Sequence, residues 1–171
     1  MSERGIIFTG ESVRAILDDR KTQTRRVLRF PERPPTHQPG DLLWVREGCL
    51  TWEGTSRGAS YKADYEGQDI PLPTGSGKWS CKMRTAMFMP RWASRLTLRA
   101  TAVRVQRLQE ISDADAEAEG VIPTAEETDQ ISGQYVRAYA RTWDAIHRKH
   151  PERQWASNPK VVALTFERVR P

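Results

Sequence analysis

The chain has few of the residues that bind metals or form disulfide bonds. Of its 171 residues, two are cysteine and three are histidine, at positions 37, 147 and 150. Zinc sites need closely spaced Cys or His ligands, and this spacing predicts none. Cys49 and Cys81 are expected to be reduced thiols, as in most proteins of the cytosol. We therefore predict neither a metal nor another cofactor.

Long apolar runs are also missing. No stretch approaches 18 consecutive apolar residues, so the sequence predicts no membrane span. Residues 1–5 lack the apolar segment of a signal peptide and lead into a predicted strand. We therefore expect a cytoplasmic protein that has no membrane partner. Hydrophobic residues make up 37% of the chain, and its length predicts a single domain, residues 1–171, with a hydrophobic core.

Basic residues are unevenly distributed along the chain. The net charge is +5, from 27 basic and 22 acidic residues, and the excess is concentrated between Arg14 and Arg33. A local positive potential of this kind favours an anionic, phosphate-bearing partner. Its densest part is residues 20–26, which hold four basic residues and two threonines. This stretch is either a basic loop that binds phosphate or nothing, or a site where Lys21 and Thr24 meet as amine base and hydroxyl nucleophile.

The apolar pattern predicts strands and helices without regular alternation between them. Strands are expected at residues 5–8, 42–47, 95–108 and 161–167, and helices at residues 10–17, at 112–119 and after position 133. This order favours an α+β fold in which helices pack outside a small β-barrel. Residues 51–90 show no such period, apart from a possible short strand at residues 59–63. They are interpreted as an irregular insertion that covers one mouth of the domain, or as a decorated hairpin without a ligand role.

Six motifs in order resemble those of an ASCH domain, in the longer form common in phages and prophages. They are Lys-Thr-Gln-Thr-Arg-Arg at 21–26, Gly-Asp-Leu-Leu-Trp-Val-Arg-Glu at 40–47, Met-Pro-Arg-Trp-Ala-Ser-Arg at 89–95, Ala-Glu-Gly-Val at 118–121, Trp143, and Asn158-Pro159 before the last strand. The resemblance covers nearly the whole chain and is weakest at residues 51–78.

The resemblance implies a PUA-like mixed β-barrel with a cleft between the barrel and its helices. It also implies recognition of RNA or of modified nucleosides. One branch of small ASCH proteins consists of amidohydrolases that remove the acyl group from N4-acetylcytidine by means of a Lys, a Thr and a Glu. These three fall on Lys21, Thr24 and Glu119. This chain differs from the small enzymes in its length and in its central insertion.

Two mechanisms fit these three residues. In one, Lys21 removes the proton of the Thr24 hydroxyl, which attacks the amide, and Glu119 orients the amine or passes the proton to the cytosine. Burial or the neighbouring arginines would lower the pKa of Lys21, and a nearby carboxylate would raise it. In the other, Glu119 activates a water and Lys21 stabilises the oxyanion. The sequence leaves both open.

Further residues are candidates for contact with the substrate. Arg25 and Arg26 are suited to contact the nucleobase or an anionic group of the substrate. Arg26 could instead pair with Glu47, which lies at a strand end and is the second candidate for the catalytic carboxylate. Trp44 and Trp92, like Trp143 and Trp155, are expected in the core, and any tryptophan in the cleft could stack on a nucleobase.

Three functions are therefore compatible with the sequence. The first is a metal-independent amidohydrolase that acts on N4-acylated cytosine or cytidine. The second is a non-catalytic module that binds RNA or a modified nucleotide in the same cleft. The third is a ribonuclease that uses the same lysine and basic residues.

Overall fold

The computed structural model of the protein describes residues 2–28, 35–54, 56–65, 68–74, 80–129 and 132–170. The strands in these ranges are β1 (Glu3–Ile7), β2 (Gln23–Val27), β3 (Leu42–Arg46), β4 (Cys49–Glu53), β5 (Arg57–Tyr61), β6 (Ser80–Arg84), β7 (Thr97–Arg107) and β8 (Lys160–Val169). The helices are α1 (Gly10–Leu17), α2 (Asp113–Ala118), α3 (Ala125–Thr128) and α4 (Gln134–His147). The predicted α+β class is confirmed, whereas closure of a barrel and a cleft beside it stay predictions.

The chain forms two compact units. The first contains residues 1–17, 41–99 and 168–171. Here β1 pairs in parallel with β3, and β3 pairs antiparallel with the first residues of β7. The register places Leu43 opposite Leu98, and both are fully buried. The amphipathic helix α1 buries Val13 and Ile16, which the predicted helix placed on one face.

A second, three-stranded sheet lies in the segment predicted to be irregular. Strands β5 and β6 both pair antiparallel with β4, so the prediction of an irregular segment is wrong there. The suggested strand at residues 59–63 overlaps β5 at residues 59–61, and residues 62–64 form a 3-10 helical turn. The apolar period was hidden because β6 is mostly exposed on both faces. In β5, the ring of Trp52 packs where a side chain at Gly58 would lie. The insertion's position over a pocket stays a prediction.

The second unit contains residues 18–40 and 100–167. In it, β2 pairs antiparallel with β8, which also neighbours β7. Helix α2 begins as predicted, because the Ser112 side chain accepts a hydrogen bond from the backbone N–H of Asp115. It is followed at Gly120 by a left-handed turn with φ of 79°, a conformation that glycine adopts at low cost.

Helix α4 covers this unit with an aromatic face. Tyr139 and Trp143 pack in a core with Leu108 and Val161, as the period of the helix predicts. The apolar spacing of the predicted helix also places Ile146 on this face, but that expectation is wrong, since Ile146 is 64% exposed. His147, four residues after Trp143, instead stacks on its ring at a centroid distance of 4.3 Å. No helix in the described ranges is both long and apolar enough to span a bilayer.

Candidate functional site

The backbone brings two predicted catalytic residues together in the second unit. Lys21 and Glu119 form an isolated antiparallel bridge, although 98 positions separate them in sequence. Next to it, the N–H of Thr22 donates to the carbonyl oxygen of Ala118 at 2.8 Å. The residues just before β2 are thereby held against the end of α2.

The side chains of this bridge form a buried ion pair. The Nζ of Lys21 donates to both the backbone oxygen and Oε2 of Glu119, each at 2.8 Å. The Lys21 side chain is 6% exposed and that of Glu119 is 4% exposed. The other carboxylate oxygen of Glu119, Oε1, accepts a bond from Nη1 of Arg25 at 3.0 Å. One carboxylate therefore serves two buried cations.

Arg25 makes internal contacts rather than the predicted contact with substrate. Its side chain has no exposed surface, and its Nη2 donates to Oδ2 of Asp115 at 3.0 Å. The other oxygen of Asp115 accepts a bond from the Gln23 amide at 2.7 Å. A further bond to Oδ2 comes from Arg104, at 3.1 Å. Arg25 thus joins two carboxylates of α2 and its C-cap.

Burial dominates the electrostatics of the site. It lowers the pKa of Lys21, an effect that Glu119 opposes and that Arg26 and Arg25 assist. Burial also raises the pKa of the Tyr139 phenol well above its ordinary value, as do the negative charge of Glu119 and hydrogen bonding to it. The sequence predicted opposing effects on the pKa of Lys21, and burial in the folded protein decides that this pKa is lowered.

Arg26, the fourth residue of β2, is an exposed residue, unlike Lys21 and Arg25. Although the residue is exposed, desolvation by the surrounding protein lowers the pKa of its guanidinium, whereas Glu119 and Tyr139 act to raise it. A cation on an exposed residue next to the buried ion pair is suited to an incoming anionic or polar group, as expected from the sequence. Its contact with a substrate stays a prediction.

Thr24 lies in the middle of β2, opposite Leu164 of β8, and is buried. Successive side chains of a strand point to opposite faces. Gln23 and Arg25 both reach carboxylates of the α2 segment, so alternation directs Thr24 to the other face of the strand. The role of Thr24 as a nucleophile stays a prediction.

The remaining candidates belong to the first unit. Glu47 is fully buried and accepts two bonds from Arg95, at 2.9 and 3.1 Å; its partner is therefore Arg95 and not Arg26. Trp44 and Trp92 are half-buried rather than core residues. The guanidinium of Arg57 lies 3.7 Å from the centre of the Trp92 ring.

Sequence reasoning missed three residues of the site, namely Gln23, Asp115 and Tyr139. Asp115 lies within the helix predicted at residues 112–119, and Tyr139 lies within the helix predicted after position 133. The alternation of Lys21, Gln23 and Arg25 was the available signal, because it places three polar side chains on one face of a strand. Their partners are distant in sequence and could not be inferred from it.

The lowered pKa of Lys21 predicts how its contribution to stability depends on pH. Between that pKa and the ordinary value of 10.5, the folded state binds fewer protons at this position than the unfolded state. The stability that Lys21 supplies should therefore rise as pH increases through this window. Urea denaturation at several alkaline pH values measures the free energy of unfolding of wild type and of Lys21→Met. The difference between the two values isolates Lys21, because the titration of the other groups is common to both proteins. A difference that stays constant or declines would contradict a lowered pKa.

Comparisons with known proteins identify the fold. No protein-family model and no curated protein matches the sequence. A crystal structure of an ASCH domain from Lactobacillus crispatus JV V101 has 12% sequence identity and a TM-score of 0.51, covering 98% of this chain and 79% of that one. A DUF984 protein from Enterococcus faecalis V583 has 15% identity and a TM-score of 0.50, covering 99% of this chain and 80% of that one. The chain therefore has the fold of an ASCH domain.

No group of three or more potential His, Cys, Asp or Glu ligands is arranged to hold a metal ion in the part of the chain that the structure describes.

Proposed function

We propose that the protein is an amidohydrolase that removes the acyl group from N4-acylated cytosine or cytidine, with Lys21 and Glu119 as its acid–base pair. One observation carries this proposal: a buried lysine with a lowered pKa donates two 2.8 Å hydrogen bonds to Glu119. A lysine whose pKa is lowered has a larger neutral fraction near physiological pH, and only the neutral amine can accept a proton. The ASCH-type fold and the order of the sequence motifs support the choice of substrate.

The proposed reaction needs one proton acceptor and one proton donor. Neutral Lys21 takes a proton from the attacking hydroxyl group, whose oxygen forms a bond to the acyl carbon. The tetrahedral intermediate then collapses, and the bond between the acyl carbon and N4 breaks. The proton returns through Lys21 or Glu119 to N4, which leaves as the amino group of cytosine. With water as the attacking group, the products are the carboxylic acid and cytidine.

Water is the attacking group in our proposal, because strand alternation directs Thr24 away from the carboxylate that Arg25 reaches. Attack by Thr24 would instead produce an acyl ester of its hydroxyl, which a water must then hydrolyse. The two routes predict different results for Thr24→Ala. Most of the activity is retained if water attacks, and nearly all is lost if Thr24 attacks.

The decisive assay follows cytidine release from N4-acetylcytidine by absorbance, in the presence of a chelator. Lys21→Arg keeps a cation but removes the group that can accept a proton, and Glu119→Gln keeps the shape of the side chain but removes its charge. Each should lower turnover at least about a hundredfold, the usual effect of losing a general acid or base. Lys149→Arg, at an exposed position of the same unit, is the matched control and should leave turnover unchanged.

The alternative functions give different outcomes in the same experiment. The exposed Arg26 and the basic residues around it also favour a module that binds RNA without turnover. Such a module would bind oligonucleotides in a salt-dependent way, and wild-type protein would release no cytidine from any acylated substrate. Cleavage of the oligonucleotide itself would indicate a ribonuclease. Either result would overturn the proposed amidohydrolase.

A further inference from the structure

The ion pair of the candidate site is one end of a longer chain of charges. Lys21 contacts Glu119, Glu119 contacts Arg25, and Arg25 contacts Asp115, with each N–O distance between 2.8 and 3.0 Å. Asp115 at the far end is partly exposed and also pairs with Arg104 of β7 at 3.1 Å. Opposite charges therefore alternate from a solvent-accessible carboxylate to the buried lysine.

The helix geometry explains why Arg25 bridges two carboxylates. Asp115 lies in the first turn of α2 and Glu119 is its C-cap, four residues later, and residues with this spacing share one helix face. The planar guanidinium offers each carboxylate a separate nitrogen, Nη2 to Asp115 and Nη1 to Glu119. Gln23 donates to Asp115 from the same strand face, so Asp115 is held in place from three sides.

We propose that Asp115 is a positioning residue that acts through Arg25 to control the charge of Lys21. Asp115 shares the positive charge of Arg25 and thereby leaves the Glu119 carboxylate available to Lys21. Without it, Arg25 would draw Glu119 toward itself, and its uncompensated charge would repel protonated Lys21. In a buried site such effects are poorly screened.

The charges around Lys21 come from three elements of the second unit. Arg25 and Arg26 lie on β2, Glu119 caps α2, and Tyr139 of α4 is near Glu119. Because the pKa of the Tyr139 phenol is raised well above its ordinary value, Tyr139 stays neutral while Lys21 titrates. Removal of the charge of Asp115 therefore changes the protonation of Lys21 mainly through Arg25.

The test measures the protonation of Lys21 directly and needs no substrate. The chain contains six lysines, so NMR of protein labelled with ¹³C at the lysine Cε can follow each one, and Lys21→Arg identifies the Lys21 signal. In Asp115→Asn, the neutral fraction of Lys21 at a given pH below its midpoint should rise roughly three- to tenfold. Asp129→Asn, the same change at an exposed position of this unit, should leave the titration unchanged.

A second variant separates an electrostatic role from a structural one. Arg104→Gln removes an exposed cation from Asp115 and leaves Arg25 as the remaining ion-pair partner of that carboxylate, so the Lys21 midpoint should move to higher pH. Simple loosening of the site would let water reach Lys21 and move the midpoint upward in Asp115→Asn as well. An unchanged or raised midpoint in Asp115→Asn, in protein that melts cooperatively, would overturn the proposal.

This inference rests on the proposed function only for its meaning in catalysis. If Asp115→Asn shifts the titration of Lys21 but wild type releases no cytidine, the positioning role stands and the amidohydrolase is wrong. If cytidine is released and the titration is unaffected, the amidohydrolase stands and the role of Asp115 is wrong.

Discussion

Glu119→Ala is expected to lower the free energy of unfolding by about 3–5 kcal/mol, the usual cost of breaking a buried ion pair by removal of one partner. Glu119 is the shared counter-ion of two cations, Lys21 and Arg25, whose side chains are 6% and 0% exposed. Its loss leaves Lys21 without this carboxylate, and leaves Arg25 with Asp115 as its remaining carboxylate partner. Urea denaturation at neutral pH, monitored by circular dichroism, measures the change.

Lys21→Ala is the informative comparison for this prediction. It leaves Glu119 paired with Arg25, so no buried charge loses all of its partners, and the loss of stability should be smaller than in Glu119→Ala. Equal losses, or a larger loss in Lys21→Ala, would contradict the shared counter-ion. A small loss in both variants would show that water enters the site easily. The comparison is independent of activity, so it tests the geometry even if the proposed reaction is wrong.

Arg95→Ala is expected to destabilise the first unit by a similar amount, about 3–5 kcal/mol at neutral pH. Glu47 is 1% exposed, and both of its oxygens accept bonds from the guanidinium of Arg95. The same guanidinium pairs with Asp64 at 2.8 Å and lies 4.0 Å from the centre of the Tyr61 ring. The variant leaves the Glu47 carboxylate buried without this partner.

The pH dependence of this loss supplies a second check. Burial raises the pKa of Glu47, which Arg95 opposes, so removal of Arg95 should raise it further. A protonated Glu47 carries no charge and tolerates burial, so the deficit of Arg95→Ala should shrink as pH falls toward the ordinary range of a carboxyl group. Arg91→Ala is the matched control, because it breaks an exposed pair with Glu3 and should cost less than about 1 kcal/mol. A deficit that is independent of pH would contradict a buried, charged Glu47.

The sequence by itself determined the elements whose signals are local. Helix α2 begins at its capping serine and gives way to a left-handed glycine, and α4 buries the Tyr139–Trp143 face that its period predicts. The α+β class and the ASCH-type fold also followed from the order of the motifs. The resemblance paired Lys21 with Glu119, and the two residues form a bridge, while their catalytic role stays a prediction.

Tertiary structure alone decided which charges meet and in which direction they shift one another. The sequence predicted Arg25 as a substrate contact, because it does not show that α2 brings Asp115 and Glu119 to the face of β2 on which Arg25 lies. The pKa of Lys21 is lowered because burial outweighs Glu119, and burial depends on the whole packed unit. The partner of Glu47 and the strands β5 and β6 were missed for the same reason. Hydrophobic periodicity and capping depend on neighbours a few residues away, whereas ion pairs and exposed strands depend on chain segments that only folding brings together.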